Sequence, residues 1–477
     1  MTGMNENVAA LLPELLLLAG AVLGVLLGGW LPRHRQWVVR SLAAGATVAG
    51  LLATAVTMTR PAELVFGGSY AVDTATHVAR LVVLAATLLV LGLSVDTVVG
   101  HRRETEYYVL LQLGALGTIV LAGANDLLLL FAAFLLASVP LYALVGWAKD
   151  ARAVEAAMKY YLTGAFLGVT TLVGIAVLYG AGGSTAYPQL RDALASAPAA
   201  AAAVGLVAVL AGLLFKVGAV PAHFWVPDVT DGTPPPAAAI VTTIPKIGGL
   251  IAAYRLLLVA VPPDIVDWPL LIAVLAAASM TLGNLAAFFQ TSVQRLLAYS
   301  TISQVGYALM AVAVAGRAEL ALPALLFYVA AYAVTNLGAF AVVAELPRAR
   351  ALGDYRGLAR RHPGVAAVLV VCLLGLIGTP PTGVFVGKLT VFTAAIDGGF
   401  AWLAVLAVVN TIASVFYYLR WIAPAFLGPV PAPGSPALVP AGIWSRVGAY
   451  SAATASLVLG VVSGLVLPLG TGSLGGS

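Results

Sequence analysis

Long apolar runs, parted by short breaks that hold the charges and many of the Pro and Gly residues, set the pattern of this chain. A helix that crosses a bilayer needs ~20 mostly apolar residues. Fourteen runs are read as such helices, with limits near 10–30, 38–58, 78–99, 107–123, 126–147, 157–180, 201–226, 234–259, 268–290, 295–315, 319–345, 364–395, 400–425 and 448–470. Runs four and five are separated only by Gly123-Ala124-Asn125-Asp126, so thirteen is the competing count. The pattern predicts an all-α integral membrane protein, one polytopic domain over 1–477.

Composition removes the other classes. The 477 residues are 61% hydrophobic and 9% charged, whereas a soluble domain carries ~25% charged residues. So few charges cannot cover a water-facing surface, which excludes a nucleic-acid binder, a secreted disulfide scaffold and a cytosolic enzyme. The single cysteine, Cys372, lies in an apolar run and reads as packing. The start, MTGMNENVAALLPELLLL, lacks a basic segment before its apolar stretch and reads as an uncleaved first span.

Sorting the cations adds orientation. Fifteen, from Arg33 to Arg446, fall in loops after odd-numbered runs; only Arg60, Arg80, Arg191, Arg255 and Arg317 fall in or beside loops after even-numbered ones. The positive-inside rule then puts the odd loops in the cytoplasm and both termini outside. The net charge of +5 reflects this topology rather than an anionic partner.

Three other cations, Lys216, Lys246 and Lys388, lie within apolar runs. A charge at mid-bilayer costs roughly 2.5–3.5 kcal/mol on insertion scales. Lysine accounts for only 5 of the 24 cations, yet it supplies all three of these. Arginine stays protonated in proteins, whereas a buried lysine can release its proton. The choice of lysine therefore points to a proton relay rather than to ammonium groups that only cap carbonyls or pair with carboxylates.

The sequence around two of them is broken. Lys216 opens FKVGAVPAHFWVPD, with Gly218 and Pro221 inside the run, and Lys388 closes GTPPTGVFVGK. Interrupted helices at membrane depth are tolerated where protein or water satisfies the freed backbone, and a pair of them in corresponding halves points to an ion pathway. The broken runs are the seventh and twelfth. A spacing of five, an odd number, brings the second copy in from the opposite face, which predicts two inverted five-helix repeats: runs 4–8 (107–259) and runs 9–13 (268–425).

The remaining polar positions are less decisive. His223 lies on the first broken run, with proton transfer, packing and capping all open. Lys159, just inside run six, is either interior or snorkelling to the cytoplasmic face, with Glu155 four residues before it. Asp126 reads as a helix cap, as do Asp228 and Asp231 for the helix that follows them. Glu14 reads as a cap or helix contact, and Glu319 and Glu345 as interfacial. Tyr299, Ser300, Thr301, Ser303 and Gln304 make run ten polar enough for a hydrated interior helix. No HExxH, phosphate loop, dinucleotide fingerprint or haem-ligating pair stands out, so no metal or redox cofactor is expected in this chain.

Several stretches carry a family resemblance: PLYALVGW at 140–147, EAAMKYYLTGAF at 155–166, HFWVPDVTDGTPPP at 223–236, VQRLLAYSTISQVGY at 293–307, DYRGLARRHP at 354–363 and GTPPTGVFVGK at 378–388. With them the chain resembles subunit N of bacterial NADH-quinone oxidoreductase, respiratory complex I. The resemblance implies fourteen helices, a horizontal chain of protonatable residues, and proton translocation in a bacterial inner membrane. It implies that NADH or another donor, FMN, iron–sulfur clusters and quinone act in other subunits, with neighbouring membrane subunits as partners. It makes Lys216 and Lys388 the lysines of the two broken helices, Lys246 the central one and Lys159 that of span six. Two positions depart from the family pattern. Leu135 stands where an acidic residue three before Ser138 is expected to pair with Lys216, and Gln304 stands where many members have His. A cation/proton antiporter subunit, or a diverged structural paralogue that does not pump, are the alternatives these departures leave.

Overall fold

The computed structural model describes residues 7–427, 438–472 and 474. Helices run in chain order as α1 (Leu12–Trp30), α2 (Trp37–Thr57), α3 (Thr74–Val98), α4 (Glu104–Gly123), α5 (Leu127–Leu136), α6 (Val139–Val145), α7 (Ala151–Gly182), α8 (Tyr187–Leu194), α9 (Ala199–Val217) and α10 (Trp225–Gly232). They continue as α11 (Pro235–Arg255), α12 (Trp268–Ala287), α13 (Val293–Ala313), α14 (Ala321–Glu345), α15 (Leu358–Arg361), α16 (Pro363–Ile377), α17 (Gly383–Asp397), α18 (Ala401–Phe426), α19 (Ile443–Val461) and α20 (Ser463–Val466). A small antiparallel hairpin, β1 (Glu63–Val65) and β2 (Tyr70–Val72), pairs Leu64 with Ala71 ahead of α3. Gly67 and Gly68 turn it in the left-handed backbone region.

Among the described residues twelve helices are long and apolar enough to cross a membrane, or thirteen if the pair Ile443–Val461 and Ser463–Gly470, bent by 76°, counts as one. The expected twelfth span, 364–395, is instead two 15-residue helices, α16 and α17, each short of a bilayer's thickness. The expected span at 126–147 is likewise interrupted, at Ala137–Ser138 between α5 and α6. Pro140, which lacks the N–H to continue the helix, sits one residue into α6.

Acidic caps and glycine stops set many of the boundaries. Asp73, Asp126, Asp150 and Asp267 each accept backbone N–H groups at the starts of α3, α5, α7 and α12. The long helices α11, α13 and α14 are buried along almost all of their length and form the centre of the bundle. α1, α7 and α18 lie outside and expose Leu26, Phe166 and Phe416, as lipid-facing helices do.

Candidate functional site

The site begins where α9 ends. Gly218 takes a left-handed conformation (φ 73°), which stops α9 two residues past Lys216. The Lys216 side chain is fully buried. Its Nζ donates to Ser138 Oγ, in the α5–α6 break, and lies 4.7 Å from the Phe134 ring centroid. The freed carbonyl at the end of α9, Val217 O, accepts from Lys246 Nζ, brought in by α11. α11 approaches this closely because residue 249 is glycine: a Cβ there would lie 2.7 Å from Val217 Cγ1 and 3.3 Å from Lys216 Cγ.

The second break repeats the device. Gly378 (φ 90°) ends α16, and the freed Ile377 carbonyl accepts from Lys388 Nζ at 2.9 Å. Lys388 also donates to Thr411 Oγ1 at 3.3 Å and sits 4.0 Å from the Tyr307 ring centroid. The carboxyl end of a helix carries a partial negative charge and favours a cation beside it. At each break a lysine amine therefore meets the negative end of a helix. Among the described residues no carboxylate comes within ion-pair distance of Lys216, Lys246 or Lys388.

Polar groups lie between the two breaks, and sequence reasoning missed most of them. A small cavity of about 10 Å³ lies between Lys246, Gln304, Tyr328 and Tyr332, with Ile247, Leu250, Val305, Ala308 and Val329 making most of its wall apolar. Gln304 accepts from the Tyr328 hydroxyl through Oε1 and donates through Nε2 to Leu376 O at 2.7 Å, one residue before the carbonyl that Lys388 caps. The polar stretch of α13 foreshadowed Gln304. The partners on α14 and α16 come from tertiary packing and have no local signal. The α13 hydroxyls of Ser300, Thr301 and Ser303 are buried and paired with Tyr418, Tyr332 and Asn284.

Other expected residues lie elsewhere. Lys159 is not gathered into the buried set. Its side chain is 45% exposed and bridges Glu155 and Asp228, each at 2.7 Å. Asp228 also pairs with Arg295 at 2.8 Å, and Asp231 accepts from Ser292 Oγ, so neither caps the following helix as expected. His223, buried between α9 and α10, lies tilted against the Phe224 ring and touches none of the three lysines by hydrogen bond. Leu135 is 42% exposed, while Phe134 and Ser138 meet Lys216.

The lysines are not the only deep cations, a correction to the sequence reading. Arg80 and Arg255 are also fully buried. Arg80 pairs with Glu14 at 2.7 Å and Arg255 with Asp73 at 2.7 Å. Glu345, expected at an interface, is buried and holds Arg446 at 2.8 Å. The distinction that survives is chemical. The buried arginines have carboxylate partners, and the buried lysines have hydroxyls, carbonyls and ring faces.

Known proteins resemble this chain in sequence and fold. The family model described as NADH:quinone oxidoreductase/Mrp antiporter, TM matches residues 124–414. NADH-quinone oxidoreductase subunit N 1 of Streptomyces griseus is 61% identical over 465 residues, 97% of this chain and 98% of the relative. A chain in the structure of respiratory complex I from Thermus thermophilus superposes with TM-score 0.81 at 34% identity, covering 97% of this chain and 100% of that one. A chain of the Mrp complex from Dietzia sp. superposes with TM-score 0.86 over 98% of this chain and 96% of that one, but at 22% identity, a likeness of fold alone. On the identity and coverage of the Streptomyces relative, together with the matched family model, the chain belongs to the NADH-quinone oxidoreductase subunit N family.

Proposed function

We propose that this chain is a proton-translocating membrane subunit of an NADH-quinone oxidoreductase-type respiratory complex in the bacterial plasma membrane. In this reading electron transfer through flavin, iron–sulfur and quinone centres of other subunits drives protons through Lys216, Lys246 and Lys388, and the chain holds no redox centre of its own. The observation that carries it is a set of three buried amines without carboxylate partners among the described residues, two of them set on the carbonyl ends of broken helices. An amine so placed has a negative dipole to hold its proton and no fixed counter-ion to keep it. The recurrence of break, left-handed glycine and lysine-capped carbonyl in both halves supports inverted repeats over 107–259 and 268–425, with the α16–α17 pair completing fourteen spans. The bias of cations toward odd loops supports termini on the outer side; the first six and last three residues themselves lie outside the described set.

The Mrp fold favours a second reading, a cation/proton antiporter subunit, for which the likeness supplies fold but little sequence. Purification of the tagged chain from its native membrane separates the two. Co-purification with iron–sulfur and quinone-binding subunits is expected. A redox-free assembly that exchanges Na⁺ or K⁺ for H⁺ would overturn the respiratory reading.

The first half-channel is proposed to work without an acid at position 135. Lys216 is held by Ser138 and the Phe134 ring, and Leu135 is partly exposed. Leu135→Glu is expected to leave the proton-to-electron ratio of the reconstituted complex unchanged. A rise in that ratio would mean that the parent lacks an acid its first half needs, as a non-pumping paralogue would.

A further inference from the structure

A row of polar groups leaves Lys388 along α13 and α18. Lys388 Nζ donates to Thr411 Oγ1, and Thr411 donates on to the Tyr307 hydroxyl at 3.1 Å. The Tyr307 hydroxyl also faces the Ser303 and Asn284 side chains. Asn284 Oδ1, on α12, accepts from Ser303 Oγ at 3.1 Å and from the Tyr417 hydroxyl at 2.9 Å. The Asn284 amide nitrogen donates to Asn410 O at 2.8 Å and to Asn410 Oδ1 at 3.0 Å, which fixes Oδ1 toward those two hydroxyls. The Tyr417 and Tyr418 hydroxyls face each other, and Tyr418 meets Ser300 Oγ. All of these groups except Thr411, which is half-buried, are buried.

The row has a direction. Ser300 lies seven residues nearer the start of α13 than Tyr307, and Tyr418 seven residues nearer the end of α18 than Thr411, ~10 Å along each helix. Both of those helix ends lie on the face of the cation-rich loops, beside Arg295 and Arg420. One turn beyond Tyr418 is Trp421, whose ring meets that of Tyr355, on the loop before α15, edge to face at 5.2 Å. The Trp421 Nε1 and the Tyr355 hydroxyl are buried and have no hydrogen-bond partner among the described residues. Such a group is costly when left unpaired, and a trapped water is its usual remedy. A network built only to hold helices together would close on itself. This one runs from a lysine amine to unpaired groups at a membrane face.

We propose that Lys388 takes up its proton from the cation-rich face through this row, a route that rests on the proton-translocating reading above. The proton enters by water held at Tyr355 and Trp421 and passes along Tyr418, Tyr417, Ser303, Tyr307 and Thr411 to the neutral amine. At each step an oxygen gains one proton and gives up the one it held, so the water loses a proton, Lys388 gains one and every hydroxyl ends as it began. Asn284 carries no proton. It is a positioning residue that holds Tyr417 and Ser303, and the proton crosses between them when one turns from the amide oxygen to the other.

The test uses inverted membrane vesicles containing the assembled complex, matched for its abundance and supplied with the electron donor. Proton uptake is read with a pH-sensitive dye beside quinone reduction. Tyr307→Phe and Tyr418→Phe keep the rings and remove the hydroxyls. Each is expected to lower uptake per electron as far as Lys388→Ala does, with transfer through the row slowed on the order of 10²-fold. Tyr355→Phe should lower it by a smaller factor, since Trp421 still holds the water. Asn284→Leu should lose uptake, and Asn284→Asp, which keeps an acceptor oxygen, should recover it. Gln304 faces Tyr418, so adding Gln304→His to Tyr418→Phe places an imidazole beside the gap and is expected to restore uptake, which a packing role would not. Tyr187→Phe, on α8, removes a buried hydroxyl outside the row and serves as the unaltered control. Unchanged uptake in Lys388→Ala would overturn the proton-translocating reading and this route with it. Loss in Lys388→Ala beside full uptake in Tyr307→Phe or Tyr418→Phe would overturn the route alone, as would full uptake in Tyr355→Phe or a double variant as inactive as Tyr418→Phe.

Discussion

Replacing Lys246 by alanine is expected to stop proton pumping while the complex still assembles. Lys246 reaches the first break: its Nζ caps Val217 O, one residue past Lys216, and its side chain lines the small cavity that Gln304 and Tyr328 also line. Removing the amine leaves one buried carbonyl short of a donor, a loss of ~1–3 kcal/mol. It also removes the cost of burying a cation, so the fold is expected to tolerate the change. Transfer through the site has no such substitute. Loss of a positioned proton carrier is worth on the order of 10²–10⁴ in rate. Lys246→Arg is a sharper variant, because it retains the charge but does not release a proton; it too is expected to be inactive. Inverted membrane vesicles supplied with the electron donor, read with a pH-sensitive dye beside quinone reduction, provide the measurement. An unaltered proton-to-electron ratio in either variant would remove Lys246 from the pathway.

Much of the helical order was legible in the sequence because lipid imposes a simple rule: a span is a long apolar run. The errors lie where that rule weakens. The sixth run was placed from 157, but α7 starts at Ala151, since Arg152, Glu155 and Lys159 ride on its first turns as a charged end held by Asp228. The β1–β2 hairpin was missed although Gly67-Gly68 signalled its turn, because its strands are only three residues each.

The site divides in the same way. Lys216, Lys246 and Lys388 stood out because charge within an apolar run is visible one residue at a time. Arg80 and Arg255 did not, because they lie near run ends and look like loop charges. Their partners are 66 and 182 residues away in sequence. The Tyr328–Gln304–Leu376 link was hidden for the same reason, since each contact joins a different helix. Sequence locates an unusual residue well and its partner poorly, and here the partner separates the buried arginines, which have counter-ions, from the buried lysines, which have none among the described residues.

That separation leads to the second large effect, on stability. Asp73→Ala is expected to destabilise the protein by ~3–5 kcal/mol, the usual loss when one member of a buried ion pair is removed. Asp73 accepts two charge-assisted bonds from Arg255, at 2.7 and 2.9 Å, and its side chain caps α3 through Thr76 N at 3.0 Å. Arg255 in turn donates to Ala122 O near the end of α4 at 3.2 Å. One pair thus joins the start of α3 to the ends of α4 and α11, and α11 carries Lys246. Without the carboxylate the guanidinium stays buried and uncompensated. The double variant Asp73→Leu with Arg255→Met removes both charges and is expected to recover much of the loss, because an apolar pair of similar volume avoids the desolvation that the ion pair bears. Thermal unfolding of the detergent-solubilised complex, together with its abundance in membranes, reads both variants. A single variant as stable as the parent would show that this end of the bundle is held by packing rather than by charge. A double variant no better than the single would show that the loss does not come from the uncompensated guanidinium; the α3 cap, which neither replacement restores, accounts for only ~1 kcal/mol of it.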